Sequence, residues 1–316
     1  MAAVAELGSL GLAGHIETLR MPKNSILSLL VKRTGHPLIL TSAVILWWYT
    51  GASDAALLVT LTAVILLIEV LQTLTPAKPA WRVSTSTKFR LLGLYALTIV
   101  ITSLLIAGYE QLLGSPLAFF RDGMAAQIWP HKWPWPMQAL LLYFAADFIY
   151  YWVHRAIHRF AVLWRVTGHG FHHAFHNLGS LNAGSNHPFE LVLVALPLVL
   201  LASAFGARGE AVGAAAVLLL TNAVLAHSNL SMETPLFNYL FTTSDQHRRH
   251  HSTNFLESNT NYACNAILWD RLFGTFGRGD VLQTGIGPTQ PSLVQLFALP
   301  LREPADADTV ASRQNA

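Results

Sequence analysis

Residues 55–74 read AALLVTLTAVILLIEVLQTL, and Glu69 is the single charged side chain in this run. A helix needs roughly 20 apolar residues to cross the hydrocarbon core of a bilayer, so this stretch predicts a transmembrane helix. A shorter apolar run at 37–51 is joined to it by the turn GASD, which indicates a hairpin. Further apolar runs follow at 91–113 and 137–153. The first half of the chain therefore predicts about four main transmembrane helices.

A second apolar pair follows at 188–206 and 209–226, joined by the turn FGARGE, and it predicts a shorter helical hairpin. The 316 residues are 53% hydrophobic and only 12% charged, whereas soluble domains carry roughly 25% charged residues. The net charge is +3 and no run of Lys and Arg exceeds two residues, which argues against a nucleic-acid partner. We predict an all-α integral membrane protein: about four main transmembrane helices and a shorter hairpin, under a cytoplasmic helical cap.

Basic residues between the apolar runs predict the orientation. Four lie in residues 1–35, four in 75–90 and three in 154–165, whereas the opposite side has only Arg121 and Lys132. Cytoplasmic loops of membrane proteins are enriched in Lys and Arg. We therefore expect the N-terminus and the end of the fourth run to be cytoplasmic. The one cysteine, Cys264, excludes an internal disulfide and a cysteine-based zinc cluster.

Histidine is the unusual component, because eleven of the fourteen histidines lie between His154 and His251. Three clusters stand out: H-x-x-x-H once, within DFIYYWVHRAIHR, and then H-x-x-H-H twice. Their members are His154 and His158; His169, His172 and His173; and His247, His250 and His251. On a helix, residues three or four apart share a face. Imidazole is a common ligand, and a mononuclear site uses three or four protein ligands, so eight imidazoles indicate two metals.

Two further histidines flank the second hairpin. His187 precedes its first arm and His227 follows its second. Because the arms have nearly equal lengths, we expect both histidines to lie at the cytoplasmic surface beside the metals. Interfacial histidines that face lipid headgroups are the alternative. His176 is interpreted as a neighbour of the second cluster, and His15, His36 and His131 as incidental.

Asp147 lies seven residues before His154, two helical turns away on the same face. A carboxylate within a membrane is costly and usually functional, so we expect Asp147 to accept a hydrogen bond from a ligand imidazole. A structural ion pair is the alternative, and Glu190 and Asp270 are weaker candidates for the same role. The aromatic residues of the fourth run either line a lipid channel or pack the helices. These residues are Tyr143, Phe144, Tyr150, Tyr151 and Trp152.

The three histidine boxes resemble those of the fatty acid hydroxylase superfamily, also called the sterol desaturase family. NHPFE at 186–190 and NYACNAILWDRLFGTF at 261–276 are similar to further segments of that family, and the resemblance covers 147–276. It implies two iron ions held by the eight box histidines, with His187 and His227 as further ligands. It also implies O2 as co-substrate and hydroxylation of a C–H bond in a lipid-like substrate: a fatty acyl chain, a sterol or a polar lipid.

The predicted organisation is a cytoplasmic lead-in at 1–35, one membrane di-iron oxygenase domain at 36–280 and a partly disordered tail at 281–316. The sequence has no Gly-rich dinucleotide fingerprint and no haem motif, so a separate electron donor is expected, a reductase with a ferredoxin or a cytochrome. A desaturase with the same site is the alternative. A zinc-dependent membrane hydrolase would need H-E-x-x-H, which is absent, and a metal transporter would place its ligands within broken spans.

Overall fold

The computed structural model describes residues 25–81, 83–123 and 128–301, and its regular elements in these ranges are helices, apart from one isolated bridge between Ser252 and Thr284. The helices are α1 Ile26–Tyr49, α2 Asp54–Leu74, α3 Thr85–Gly123, α4 Trp135–Arg159, α5 Ala161–Thr167, α6 Gly170–His173, α7 Pro188–Phe205, α8 Gly209–His227, α9 Phe237–Leu240, α10 Ser244–His250, α11 Phe255–Ser258, α12 Leu268–Leu272 and α13 Leu293–Phe297. Short 3-10 helices span Ser180–Gly184 and Leu299–Leu301. Residues 1–24 of the predicted lead-in and 302–316 of the predicted tail lie outside the described residues.

Five of these helices, α1, α2, α3, α7 and α8, are long and apolar enough to cross a membrane by length and composition. The chain is therefore a multi-pass membrane protein. The first apolar run is longer as a helix than as a sequence pattern, because α1 begins at Ile26 within the stretch assigned to the lead-in. The arms of the second hairpin have 18 and 19 residues, so they are shorter than the other three spans, which have 24, 21 and 38 residues, as the sequence predicts.

The fourth apolar run forms a less apolar helix than the five spans. It lies within α4, which has 25 residues but is not among the five helices of sufficient apolarity. Its polar side chains are buried rather than exposed, and they include Gln138, Asp147 and His154. The side chain of Gln138 accepts a hydrogen bond from Trp129 Nε1 at 2.8 Å and donates to the Trp133 carbonyl at 2.8 Å. A helix whose polar groups are hydrogen-bonded can pack inside a bundle of helices. It does not need the apolar surface that contact with lipid requires.

Helix α4 packs against both arms of the second hairpin, α7 and α8. Helix α8 also contacts α1 closely, because Gly213 leaves space for the buried ring of Trp47. A Cβ atom at Gly213 would lie 2.4 Å from Trp47 Cζ2. Small residues allow such close approach of helices. This packing fixes the ends of α4 and α8, which carry His154, His158 and His227.

The charge in the α2 run is also satisfied. Glu69 pairs with Lys88 of α3 at 2.6 Å, and Ser180 Oγ donates a hydrogen bond to Glu69 at 2.5 Å. Ser180 begins the 3-10 helix that leads to Ser185. These contacts thus link α2 and α3 to the 3-10 helix that lies beside the histidines.

Candidate metal centre

The structure brings nine histidines together in two groups. Group A consists of His154, His158, His169, His173 and His250, and group B consists of His172, His227, His247 and His251. Within each group one ligand nitrogen of every member lies within 4.8 Å of the others. All nine side chains are buried, with at most 6% of any residue exposed. Each group thus has enough imidazoles for one metal ion.

Helical spacing explains how the boxes divide between the groups. The pairs four residues apart stay together: His154 with His158 and His169 with His173 in group A, and His247 with His251 in group B. The middle histidine of each H-x-x-H-H box, His172 or His250, points to the other group. The second and third boxes therefore each contribute to both groups, which places the two centres side by side.

The donor chemistry of group A fits a cation. His154 Nδ1 donates to the Tyr262 carbonyl at 2.6 Å, and His250 Nδ1 donates to the Thr260 carbonyl at 3.0 Å. Because a carbonyl only accepts, each neutral ring carries its proton on Nδ1 and leaves Nε2 as a lone pair. These two Nε2 atoms lie 3.1 Å apart. Facing lone pairs at this distance repel unless a cation lies near both.

Group B shows the same arrangement. His172 Nδ1 donates to the Ser185 carbonyl at 3.3 Å and His227 Nδ1 donates to the Ala223 carbonyl at 2.8 Å. Their Nε2 atoms are then unprotonated and lie 3.2 Å apart. Backbone carbonyls therefore fix the tautomers in both groups, as is usual for metal-bound histidines.

Burial favours the neutral form of the imidazoles in groups A and B that lie outside the spanning segments. Burial lowers the pKa of His169 to about 3. Burial, followed by the neighbouring His227 imidazole, lowers the pKa of His172 to about 3. Burial likewise holds the pKa of His250 and His251 well below the ordinary value. A neutral imidazole is the form that binds a metal.

Glu190 is the carboxylate that contacts a box imidazole. Its Oε1 accepts a hydrogen bond from His169 Nδ1 at 2.7 Å and another from the Tyr150 hydroxyl at 3.1 Å. The sequence had ranked Glu190 below Asp147 for this role. Glu190 lies in the first turn of α7, three residues after His187, where the side chain can reach back to the second box.

Asp147 was expected to accept a hydrogen bond from a ligand imidazole, but it binds a backbone loop instead. Its Oδ1 accepts hydrogen bonds from Asn265 N at 3.0 Å and Asn265 Nδ2 at 3.1 Å, and its Oδ2 accepts one from Ala266 N at 2.8 Å. Asp270 likewise accepts from Tyr262 N and Ala263 N, both at 2.8 Å. These two carboxylates therefore hold the loop at 262–266, whose Tyr262 carbonyl orients His154.

We expect Asp147→Asn to loosen this loop while most of the metal is retained. The amide offers one acceptor in place of two and directs its own N–H groups at backbone donors, which costs about 1–3 kcal/mol of stability. Activity should fall roughly 10-fold, because the carbonyl that orients His154 shifts. Thermal unfolding, iron content and turnover measure the three effects, and Asp122→Asn at an exposed carboxylate is the control. Unchanged unfolding and turnover would contradict this role.

His187 is not brought to either group. It is the N-cap of α7, where its Nδ1 accepts from Phe189 N at 3.2 Å, and its Nε2 donates to the Phe297 carbonyl at 3.3 Å. Its ring packs against Gly168, whose φ of +69° lies in the left-handed region. His187 therefore supports the backbone that precedes His169 instead of offering a nitrogen to the groups.

We expect Gly168→Ala to disturb the second box. A Cβ atom there would lie 2.6 Å from His187 Cγ, and the left-handed conformation adds strain of roughly 1–3 kcal/mol. Gly274→Ala is a matched control, because Gly274 has a φ of +72° but nothing within 4 Å of an added Cβ. Both variants should unfold at lower temperature, and only Gly168→Ala should also lose iron. Equal iron contents would show that the contact with His187 does not position His169.

The chain is similar to known proteins over its histidine-bearing part. The family model described as Fatty acid hydroxylase matches residues 139–275, which contain all nine histidines of the two groups. Over 161 residues, 48% of this chain, the sequence is 34% identical to an ornithine lipid hydroxylase from Rhizobium tropici. It is 33% identical to an alkylglycerol monooxygenase from Danio rerio over 47% of the chain. It is 31% identical to a very-long-chain aldehyde decarbonylase from Oryza sativa subsp. indica over 46% of the chain.

These matches cover 45%, 31% and 54% of the lengths of the three relatives. The chain thus spans about half of their length or less. No solved structure matches the chain at a significant level. The matched segment begins within α4 and ends after α12, so it includes the elements that carry both groups and the loop that Asp147 and Asp270 hold. The similarity of this chain to the fatty acid hydroxylase family therefore lies in residues 139–275.

Proposed function

We propose that this chain is a membrane di-iron oxygenase that hydroxylates a C–H bond of a lipid-like substrate with O2 and external electrons. The observation that carries the proposal is the convergence of nine buried imidazoles on two adjacent centres. Group A would hold one iron and group B the other, with His187 outside both. Neutral imidazole suits iron, and two groups that share the second and third boxes suit a dinuclear site.

Bound iron would supply the one-electron and O2 chemistry that amino-acid side chains lack. The chain's own residues hold the imidazoles in place and exclude water. Glu190 and the Tyr262 carbonyl fix the rings of His169 and His154 through their Nδ1 atoms. Burial of all nine ligands removes bulk solvent from the reacting atoms, which limits side reactions of an oxidising site.

The substrate class follows from the membrane setting and the relatives. Five apolar helices give the site a bilayer environment, and the relatives named above include a lipid hydroxylase and an alkylglycerol monooxygenase. Fatty acyl chains, sterols and polar lipids are the proposed substrates. Both names favour hydroxylation over desaturation. A zinc-dependent hydrolase is disfavoured because the sequence lacks the H-E-x-x-H motif that would supply its general base. A reductase with a ferredoxin or a cytochrome is the proposed electron source.

Metal analysis and lipid profiling together test this function. We expect about two irons per purified chain, since each group offers at least four imidazoles. Lipids from cells with the gene should include a product heavier by one oxygen than a lipid of cells without it. A product lighter by two hydrogens would identify a desaturase instead. One zinc per chain and no oxidised lipid would contradict the oxygenase.

We also propose that both histidine groups and the N-terminus face the cytoplasm, with α4 crossing the bilayer as a buried helix. Its 25 residues are long enough at 1.5 Å per residue. Single cysteines at two exposed arginines test the orientation. In intact cells, a membrane-impermeant maleimide should label Arg208→Cys in the hairpin turn, and it should label Arg278→Cys only after the membrane is opened. Wild type with its Cys264 gives the baseline, and the reverse pattern would contradict this orientation.

A further inference from the structure

Trp164 of α5 is an aromatic neighbour of group A that sequence reasoning did not single out. Its ring centroid lies 5.0 Å from that of His158, 4.9 Å from that of His169 and 5.3 Å from that of His173. Trp164 thus contacts three of the five imidazoles in group A. Its side chain is partly exposed, whereas the three histidines are buried. The indole therefore connects the protein surface with the ligands of one centre.

The two groups differ in this respect. Group A has two other aromatic neighbours among the described residues, Tyr150 on His154 and Tyr262 on His158, and both are buried. The described ring contacts of group B imidazoles are all with other histidines, as His227 and His247 illustrate. Among the described residues, group A is thus the centre with a partly exposed aromatic contact.

A cleft of about 230 Å³ opens beside Trp164. His158 and His173 form its inner wall, and the segment 283–288 forms part of its outer wall together with Ser252 and Thr253. His173 Nε2 is buried and has no hydrogen-bond partner. The cleft can admit a small ion to the edge of group A, but it is far too small for a protein.

We infer that Trp164 is the electron-input residue of the proposed di-iron site, through which a one-electron protein donor reduces the iron held by group A. The inference rests on the proposed function. Hydroxylation consumes O2, two electrons and two protons for each C–H converted to C–OH, with water as the second product. Each electron would come from a reduced iron–sulfur or haem protein, and bound iron would accept it, one ferric ion becoming ferrous. No bond forms or breaks at Trp164 and no proton moves there, since the indole only shortens the tunnelling distance.

Stopped-flow reduction of the ferric, iron-loaded chain without lipid substrate tests this role. The protein donors are a reduced [2Fe–2S] ferredoxin and reduced cytochrome b5, and the small donor is dithionite, whose sulfur dioxide radical anion fits the cleft. In Trp164→Leu, we expect reduction by the protein donors to slow roughly 10-fold or more, at the lower end of the effects on activity that follow loss of a group touching metal ligands, while dithionite reduction stays within about twofold. Trp164→Phe should be intermediate because it keeps an aromatic ring.

Trp152→Leu is the matched control. Trp152 is 42% exposed on neighbouring α4, and its described ring contacts are with Tyr151 and Phe273, not with a histidine. A second readout uses 5-fluorotryptophan: iron loading should broaden the Trp164 fluorine resonance more than that of Trp152.

Several outcomes would overturn the inference. Wild-type rates for Trp164→Leu with both protein donors would do so, as would an equal loss in Trp152→Leu. A wild type that dithionite reduces but neither protein donor reduces would also contradict it. If Trp164→Leu loses iron, the reduction rates are compared in Trp164→Phe at full iron content instead. Because reduction needs no lipid, a chain that takes up electrons through Trp164 but oxidises no lipid would refute the proposed function alone.

Discussion

His250→Ala and His172→Ala should each abolish oxygenase activity, at a cost of roughly 100-fold or more, because each leaves one centre with the wrong ligand geometry. His250 belongs to group A and His172 to group B. Group A keeps four imidazoles and group B keeps three after these substitutions. We therefore expect each variant to bind the iron of its own group more weakly, so that the iron content falls below two per chain, with the loss confined to that group. Elemental analysis of purified protein and product formation from the native lipid measure the two effects.

His131→Ala is the control for these variants, because His131 is exposed and lies outside both groups. It should retain wild-type iron and turnover. Retention of both irons and full turnover in His250→Ala or His172→Ala would show that the ligand assignment is wrong. Combining the two substitutions should remove nearly all iron, since no complete group would remain.

Glu190→Gln is expected to have the second largest effect. Glu190 Oε1 holds the Nδ1 proton of His169, whereas the buried Oε2 has no hydrogen-bond partner. In the variant, the amide group loses the negative charge and places an N–H where it finds no acceptor. We expect iron affinity or turnover to fall roughly 10–100-fold. Iron competition with a chelator and turnover at saturating iron separate binding from chemistry.

Tyr150→Phe provides the comparison for Glu190→Gln. It removes the other donor to the same oxygen, at 3.1 Å, and leaves the contact with His169 intact. Its effect should therefore be smaller. If Tyr150→Phe and Glu190→Gln lost iron equally, the charge on Glu190 would not be what orients His169.

The apolar runs predicted the spanning helices because length and apolarity are local properties of a sequence. They did not predict the character of α4, since a run of 17 residues with one carboxylate looks like a lipid-facing span, whereas its buried polar residues face other helices. The first run was also predicted to be shorter than the helix that it forms. Lys32 and Arg33 mark a boundary in the sequence, but they lie within the early turns of α1.

The box histidines could be identified from spacing, but their division between the groups could not. In each H-x-x-H-H box the first histidine shares a helical face with both later ones, and the tertiary structure places the pair of His247 and His251, like that of His169 and His173, in one group. The nearly equal arms of the second hairpin predicted the same position at the metals for His187 and for His227. His227 ends α8 with its ring toward His172, whereas His187 caps α7 with its nitrogens used by the helix and by Phe297.

The roles of the carboxylates could be assigned only from interatomic distances in the structure. Asp147, Glu190 and Asp270 all lie within residues 147–276, and nothing in their spacing shows which one touches an imidazole. Trp164 gave no signal at all, because a tryptophan between two histidine clusters of a membrane protein is typical of an interfacial residue.

The two segments joined in group A lie far apart along the chain. His154 and His250 are separated by 96 positions, yet their Nε2 atoms lie 3.1 Å apart. An ion bound there would cross-link the two segments as a disulfide does. A cross-link over a loop of this size removes roughly 4–5 kcal/mol of chain entropy from the unfolded state. Metal binding of this kind is inseparable from folding. Iron shortage would then lower the amount of the protein itself, through clearance of unfolded chains, as well as the rate of each molecule.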